Sequence, residues 1–104
     1  MTLREFENSL KLVSDNVYEA AAPADAQNYV VWQKYGTQSG FGDDCNILGL
    51  PKVQIDIVTQ TPDAFLIDDV AAALWAMNIP YSVQSEGYDP DYNAFRTILQ
   101  AVVI

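Results

Sequence analysis

The chain has 104 residues, half of them apolar and 12% aromatic, enough to bury one hydrophobic core and too few for two, so a single domain over 1–104 is expected. Fourteen Asp and Glu against five Lys and Arg give a net charge of -9, and Arg4, Lys11, Lys34, Lys52 and Arg96 are scattered singly. Without a basic stripe to release counterions from phosphates, binding along a nucleic-acid duplex or on an anionic membrane is disfavoured.

From Thr2 to about Asn16, Leu3, Phe6, Leu10, Val13 and Val17 recur at steps of three and four and predict an amphipathic helix. Thr2 with Glu5 forms a capping-box pattern at its start, and Glu7, Asn8, Lys11 and Asp15 fall on the wet side. Ala20 to Asn28, interrupted by Pro23, reads as a connector. Tyr29 to Tyr35 is aromatic and β-branched and predicts a strand, with Val30, Trp32 and Lys34 on one face and Tyr29, Val31, Gln33 and Tyr35 on the other.

Gly36 to Gly49 has neither period for most of its length and reads as a long Gly-rich acidic loop reaching about position 51. Lys52 to Gln60 alternates cleanly: Val53, Ile55, Ile57 and Thr59 face one way, and Lys52, Gln54, Asp56, Val58 and Gln60 the other. One buried and one wetter face is the mark of an antiparallel sheet covered on one side. Thr61, Pro62 and Asp63 signal a helix start, and the helix should run to about Asn78. Leu66, Ile67, Val70, Leu74 and Met77 form its inner stripe, Asp63, Asp68 and Asp69 its solvated side, and Trp75 lies on the border between core and contact.

Pro80 ends this helix before a third strand, Tyr81 to Gly87. Asp89 to Asn93 is a turn. A fourth strand, Phe95 to Val103, sets Phe95, Thr97, Leu99, Ala101 and Val103 against Arg96, Ile98, Gln100 and Val102. The expected architecture is α+β in the order αββαββ, a four-stranded, mainly antiparallel sheet with two helices on one face.

Little in this pattern points to bond-making. Histidine is absent, which removes the usual neutral-pH acid or base and every Ser-His or Cys-His arrangement. The glycines around Phe41 lack the spacing and the Lys of a phosphate-binding loop. Asp43 with Asp44 and Asp68 with Asp69 are adjacent and do not converge. Asp89 and Asp91 miss the calcium-loop spacing and read as a turn. Cys45, beside Asp43 and Asp44, reads as an inert thiol. No catalytic, cofactor-binding or metal-binding residue is expected, and hence no cofactor and no enzyme.

The lone Cys45 makes the cytosol the default compartment. The charges in TLREFENSL, and the lack of any run near the roughly eighteen apolar residues of a spanning helix, give no sign of export. The acidic excess reads first as a solubility device, with a channel wall to which DNA must not adhere and a mimic of DNA as the functional readings. Tyr29, Trp32, Tyr35, Tyr81, Tyr88 and Tyr92 read as core plus interface, since Tyr and Trp carry contact energy between proteins.

The N-terminal helix, the strand YVVWQKYG (Tyr29 to Gly36), the acidic loop, the strand VQIDIVT (Val53 to Thr59) and the helix opening with TPD together resemble the tail-terminator, or tail-completion, proteins of long-tailed bacteriophages and prophages. The resemblance implies a virion structural protein, assembled in the bacterial host cytoplasm. It would form a hexameric ring with copies of itself, cap the tail tube protein and dock the head-completion protein. DNA would pass through unbound. A head-to-tail ring needs two different patches per subunit, here expected to be a sheet edge or face and the long loop. Trp32, Tyr35, Phe41, Ile47 and Leu48 are the candidate interface residues, and Asp43 and Asp44 the candidate acidic lumen. The rival readings are a small α+β ligand-binding or regulatory domain, marked by a closed apolar pocket between sheet and helices, and an acidic DNA-mimic inhibitor, marked by carboxylates spaced like phosphates along a ridge.

Overall fold

The structure is a computed structural model that describes residues 1–37, 49–61 and 65–103. Two helices and five strands follow the order α1 (Leu3–Lys11), β1 (Val17–Glu19), β2 (Tyr29–Thr37), β3 (Pro51–Thr59), α2 (Phe65–Ala76), β4 (Tyr81–Asp89) and β5 (Ala94–Val102). They form one mixed sheet in the spatial order β1-β2-β3-β5-β4. β1 runs parallel to β2, and the other neighbours are antiparallel. The α+β class is as expected, with five strands rather than four.

The additional strand exists because α1 stops early. Its start carries the expected capping box: Glu5 N–H donates to Thr2 Oγ1 at 3.1 Å, and Thr2 N–H donates to Glu5 Oε1 at 2.9 Å. The helix then ends at Lys11 instead of continuing to about Asn16, with Val13 and Ser14 both turning back on the Leu10 carbonyl. Asn16 N–H bonds to Ser14 Oγ, a local turn of the kind by which Ser competes with the helix ladder. Val17 is thereby released from the helical stripe into β1, where it is buried opposite Val30.

Glu7 differs from its expected wet position and is only 8% exposed. Its Oε2 accepts a hydrogen bond from Trp32 Nε1 at 3.0 Å, and its Oε1 lies 3.3 Å from Lys11 Nζ. The Phe6 ring meets Trp32 edge-on, with centroids 5.7 Å apart. A carboxylate is tolerated under the helix because both of its oxygens are engaged.

The alternation in β3 and β5 sorts the sheet as expected. Val53, Ile55 and Ile57 join Leu99, Ala101, Val30 and Trp32 in one core, and Phe6, Leu10, Val70 and Leu74 from the two helices pack into that same cluster. Both helices therefore lie on one face. β2 and β3 run further than expected, since Thr37 and Pro51 are still paired, with a register shift between Lys34 and Gly36.

Pro62 and Asp63, read as the start of α2, lie outside the described residues. Its end is a Schellman cap: Ile79 N–H donates to the Leu74 carbonyl and Asn78 N–H to the Trp75 carbonyl, with Asn78 at φ 56. Asn tolerates this left-handed position, and the accompanying contact is between the buried Ile79 and Leu74.

The Thr2 hydrogen bonds hold the Glu5 carboxyl below its ordinary value, so this contribution is present above the ordinary glutamate range and lost as pH falls through the lowered value. Thr2→Ala should cost about 1 kcal/mol in urea unfolding at neutral pH, and the difference from the parent should shrink as the medium is acidified past the glutamate range.

Candidate functional site

The candidate interface residues separate in the fold. Trp32 is 3% exposed and belongs to the core, so it is not a surface contact: the indole N–H that would suit an interface is spent on Glu7. Tyr35 is exposed near the end of β2, with Lys52 Nζ 5.2 Å from its ring centroid. Phe41, Ile47 and Leu48, and the candidate lumen residues Asp43 and Asp44, lie outside the described residues, as does Cys45.

A surface that the sequence left ambiguous stands out at the other end of the sheet. α2 is apolar nearly all round, carrying only Asp68 and Asp69 as charges, yet its outer face is open. Phe65 is 79% and Trp75 81% exposed, whereas a helix apolar on all sides is ordinarily a buried one. The patch continues onto β4, where Tyr81, Val83 and Tyr88 are also exposed. Trp75, Ile79, Pro80 and Tyr81 border a hollow of about 460 Å³ at the junction. Among the described residues β4 pairs with β5 alone, which leaves a nine-residue edge unpaired.

The opposite edge is different in kind. β1 covers β2 only from Val30 to Trp32, so Gln33 to Thr37 have no strand beside them on that side among the described residues. Lys34 and Tyr35 belong to this stretch, and both are exposed.

The face of the sheet away from the helices carries a third arrangement. Gln33, Gln54, Gln100 and Ser82 stand opposite one another in successive strands. Beside this row, Arg96 Nη2 meets Asp56 Oδ2 at 2.6 Å and its Nη1 meets Asp89 Oδ2 at 3.3 Å. The Tyr92 ring covers the guanidinium with its centroid 4.5 Å away. Desolvation disfavours the charge on Arg96, but the hydrogen bond and charge of Asp56 outweigh it and the net shift is upward. Asp89 Oδ1 accepts from Asp91 N–H in the turn, so this acid serves the bend and the ion pair.

No protein-family model, curated protein or solved structure matches the chain. Its chemistry therefore rests on the groups just described: two dissimilar open edges, and an ion-paired polar cluster whose charges are largely spent on one another. Sequence reasoning missed that cluster, because Arg96 and Asp56 lie 40 residues apart and meet only through the β3–β5 register.

Two measurements probe the cluster. Asp56 is the closer and more buried partner, so Arg96→Met, which removes its ion pair, should cost about 1–3 kcal/mol, and Asp89→Asn under about 1 kcal/mol, by denaturant unfolding. Burial, with Tyr92 and Asp56 adding to it, pushes the Tyr29 phenol above its ordinary value. A raised folded value means stability that is complete below the ordinary phenol range and lost as pH rises through it. Tyr29→Phe should flatten that alkaline limb in melting temperatures taken across the range.

Proposed function

We propose that the chain is an assembly protein that joins copies of itself head to tail into a closed ring, in the manner of the phage tail terminators it resembles. In that role the ring caps a tail tube, offers a docking surface to a head-completion protein and lets DNA pass unbound, within a virion assembled in the bacterial host cytoplasm. The observation that carries this reading is the open apolar surface of α2 and β4 at one end of the sheet, facing away from a different open stretch on β2. Two unlike patches are what a heterologous interface requires. Closing a ring would also cover the long β4 edge, a liability if left bare.

Self-association in a chain of charge -9 works against repulsion, so a contact has to be made through surface of low charge density. On the α2–β4 surface that contact falls to the exposed apolar side chains Phe65, Trp75, Tyr81 and Val83, and the nearby carboxylates Asp68, Asp69 and Glu86 would have to meet cations of the neighbouring copy. A strand edge and helix face thus replace Trp32 in the interface, with Tyr35 retained at the other end.

The rival readings find less support. The space between sheet and helices, where a ligand-binding domain would hold an apolar pocket, is occupied by Phe6, Leu10, Val70, Leu74 and their neighbours. The exposed carboxylates described, among them Glu5, Asp15, Glu19, Asp25, Asp68 and Asp91, are spread over separate elements rather than along one ridge.

Light-scattering mass measured during size exclusion tests the reading. The expected result is a discrete multiple of the 11.5 kDa chain, with rings in negative-stain images. Trp75→Lys and Val83→Lys should each weaken assembly by at least about tenfold while leaving the circular dichroism unchanged. A monomer at every concentration, or an assembly indifferent to both substitutions, would contradict it.

A further inference from the structure

We infer a second site, tested separately from self-assembly although it meets the open β2 stretch at Gln33: a groove on the helix-free face of the sheet that takes a neutral, hydroxyl-rich ligand, a saccharide unit. The groove encloses about 330 Å³, at the lower end of the range for small-molecule sites. Ala20–Ala22 line one part and Val31 and Val58 another, and the short side chains leave room above the sheet. Tyr29 and Tyr92 bring two aromatic rings, and Gln33, Gln54, Asp56 and Arg96 supply the polar groups.

The chemistry of the lining selects the ligand by exclusion. Anions are opposed by the net charge of -9 and by two carboxylates against one guanidinium in the cluster. Cations meet that same guanidinium, while Asp56 already accepts from Gln54 Nε2 at 3.1 Å and from Arg96 at 2.6 Å. A purely apolar molecule would strip water from carboxamides and phenols without replacing their hydrogen bonds. An extended peptide would need a free strand edge, but β3 is interior and β1 covers β2 from Val30 to Trp32, so except at Gln33, where the open stretch of β2 begins, the sheet part of the groove offers side chains alone.

What remains is a ligand that is uncharged, bears many hydroxyls and has apolar C–H faces. A sugar ring meets these demands: its C–H face stacks on a tyrosine, and its hydroxyls pair with carboxamide and phenol groups, which both donate and accept, and with the carboxylate, which accepts. Tyr29 keeps its phenolic proton at neutral pH, its titration being displaced upward by burial, and so stays available as a donor.

The test is a titration of the isotopically labelled full chain, followed by amide NMR, with maltotriose, cellotriose and chitotriose in turn, and with capped trialanine and inorganic phosphate as comparison probes. At least one saccharide should give saturable millimolar-range shifts centred on Val31, Gln54, Asp56 and Arg96. Tyr92→Ala lies in an exposed turn and should weaken that binding by about tenfold or more, Tyr92→Phe should keep most of it, and Gln33→Ala, at an exposed strand position, provides a second loss. The inference is overturned if no saccharide shifts these amides, if trialanine or phosphate binds there as well as the best saccharide, or if the folded Tyr92→Ala and Gln33→Ala proteins bind like the parent. Because the ring reading is judged on solution mass, either can fail without the other.

Discussion

Two helices cannot cover five strands. A helix with its side chains is about 10 Å wide and neighbouring strands are about 4.8 Å apart, so a pair of helices shields about four strands. In this chain α1 is held at the β2 side by the indole of Trp32 and the carboxylate of Glu7, which leaves α2 to lie towards β3 and β5. β4 is the strand left over, and its inward-facing Tyr81 and Val83 stay in water, covered by neither of the described helices. The open surface is therefore a consequence of where the Trp32 clamp sets the first helix.

The two faces of the sheet solve different problems. Beneath the helices the inner face is dry and mostly apolar, and it tolerates Glu7 because Trp32 and Lys11 share its carboxylate. The outer face is half-wet and uses Gln33, Gln54 and Gln100 in a row that adds no charge to an already acidic chain. Asp56 and Asp89 both pair with Arg96 there, and Tyr92 from the turn lies over one side of the guanidinium. The hairpin turn is thus tied to the sheet face as well as to its own strands, through Asp89 and through the Tyr88 hydroxyl, which donates to Asn93 Oδ1.

Local patterns in the sequence carried most of the fold. The alternation of β3 and β5, the stripe of α2 and the Thr2–Glu5 cap each require only neighbours within a turn or two, and each was legible. What eluded the sequence depends on distant partners or on competition between short signals. Val17 fits the helical stripe as well as it fits a strand, and only the Ser14 turn decides between them. Glu7 looks like any solvated helix acid until Trp32, 25 residues away, is set beside it, and the same contact takes Trp32 off the surface. Trp75 sits at the stripe border, where periodicity has no answer, and its 81% exposure reflects how α2 is rolled on the sheet.

The protein's two tryptophans occupy opposite extremes, Trp32 sealed beneath α1 and Trp75 standing in solvent on α2. Ultraviolet emission should therefore sum two differently shifted components with separate meanings. The blue component belongs to the interior and vanishes only when the chain comes apart, while the red component belongs to the outer helix and moves only when something settles over it. One spectrum can tell loss of structure from gain of a neighbour, without any label.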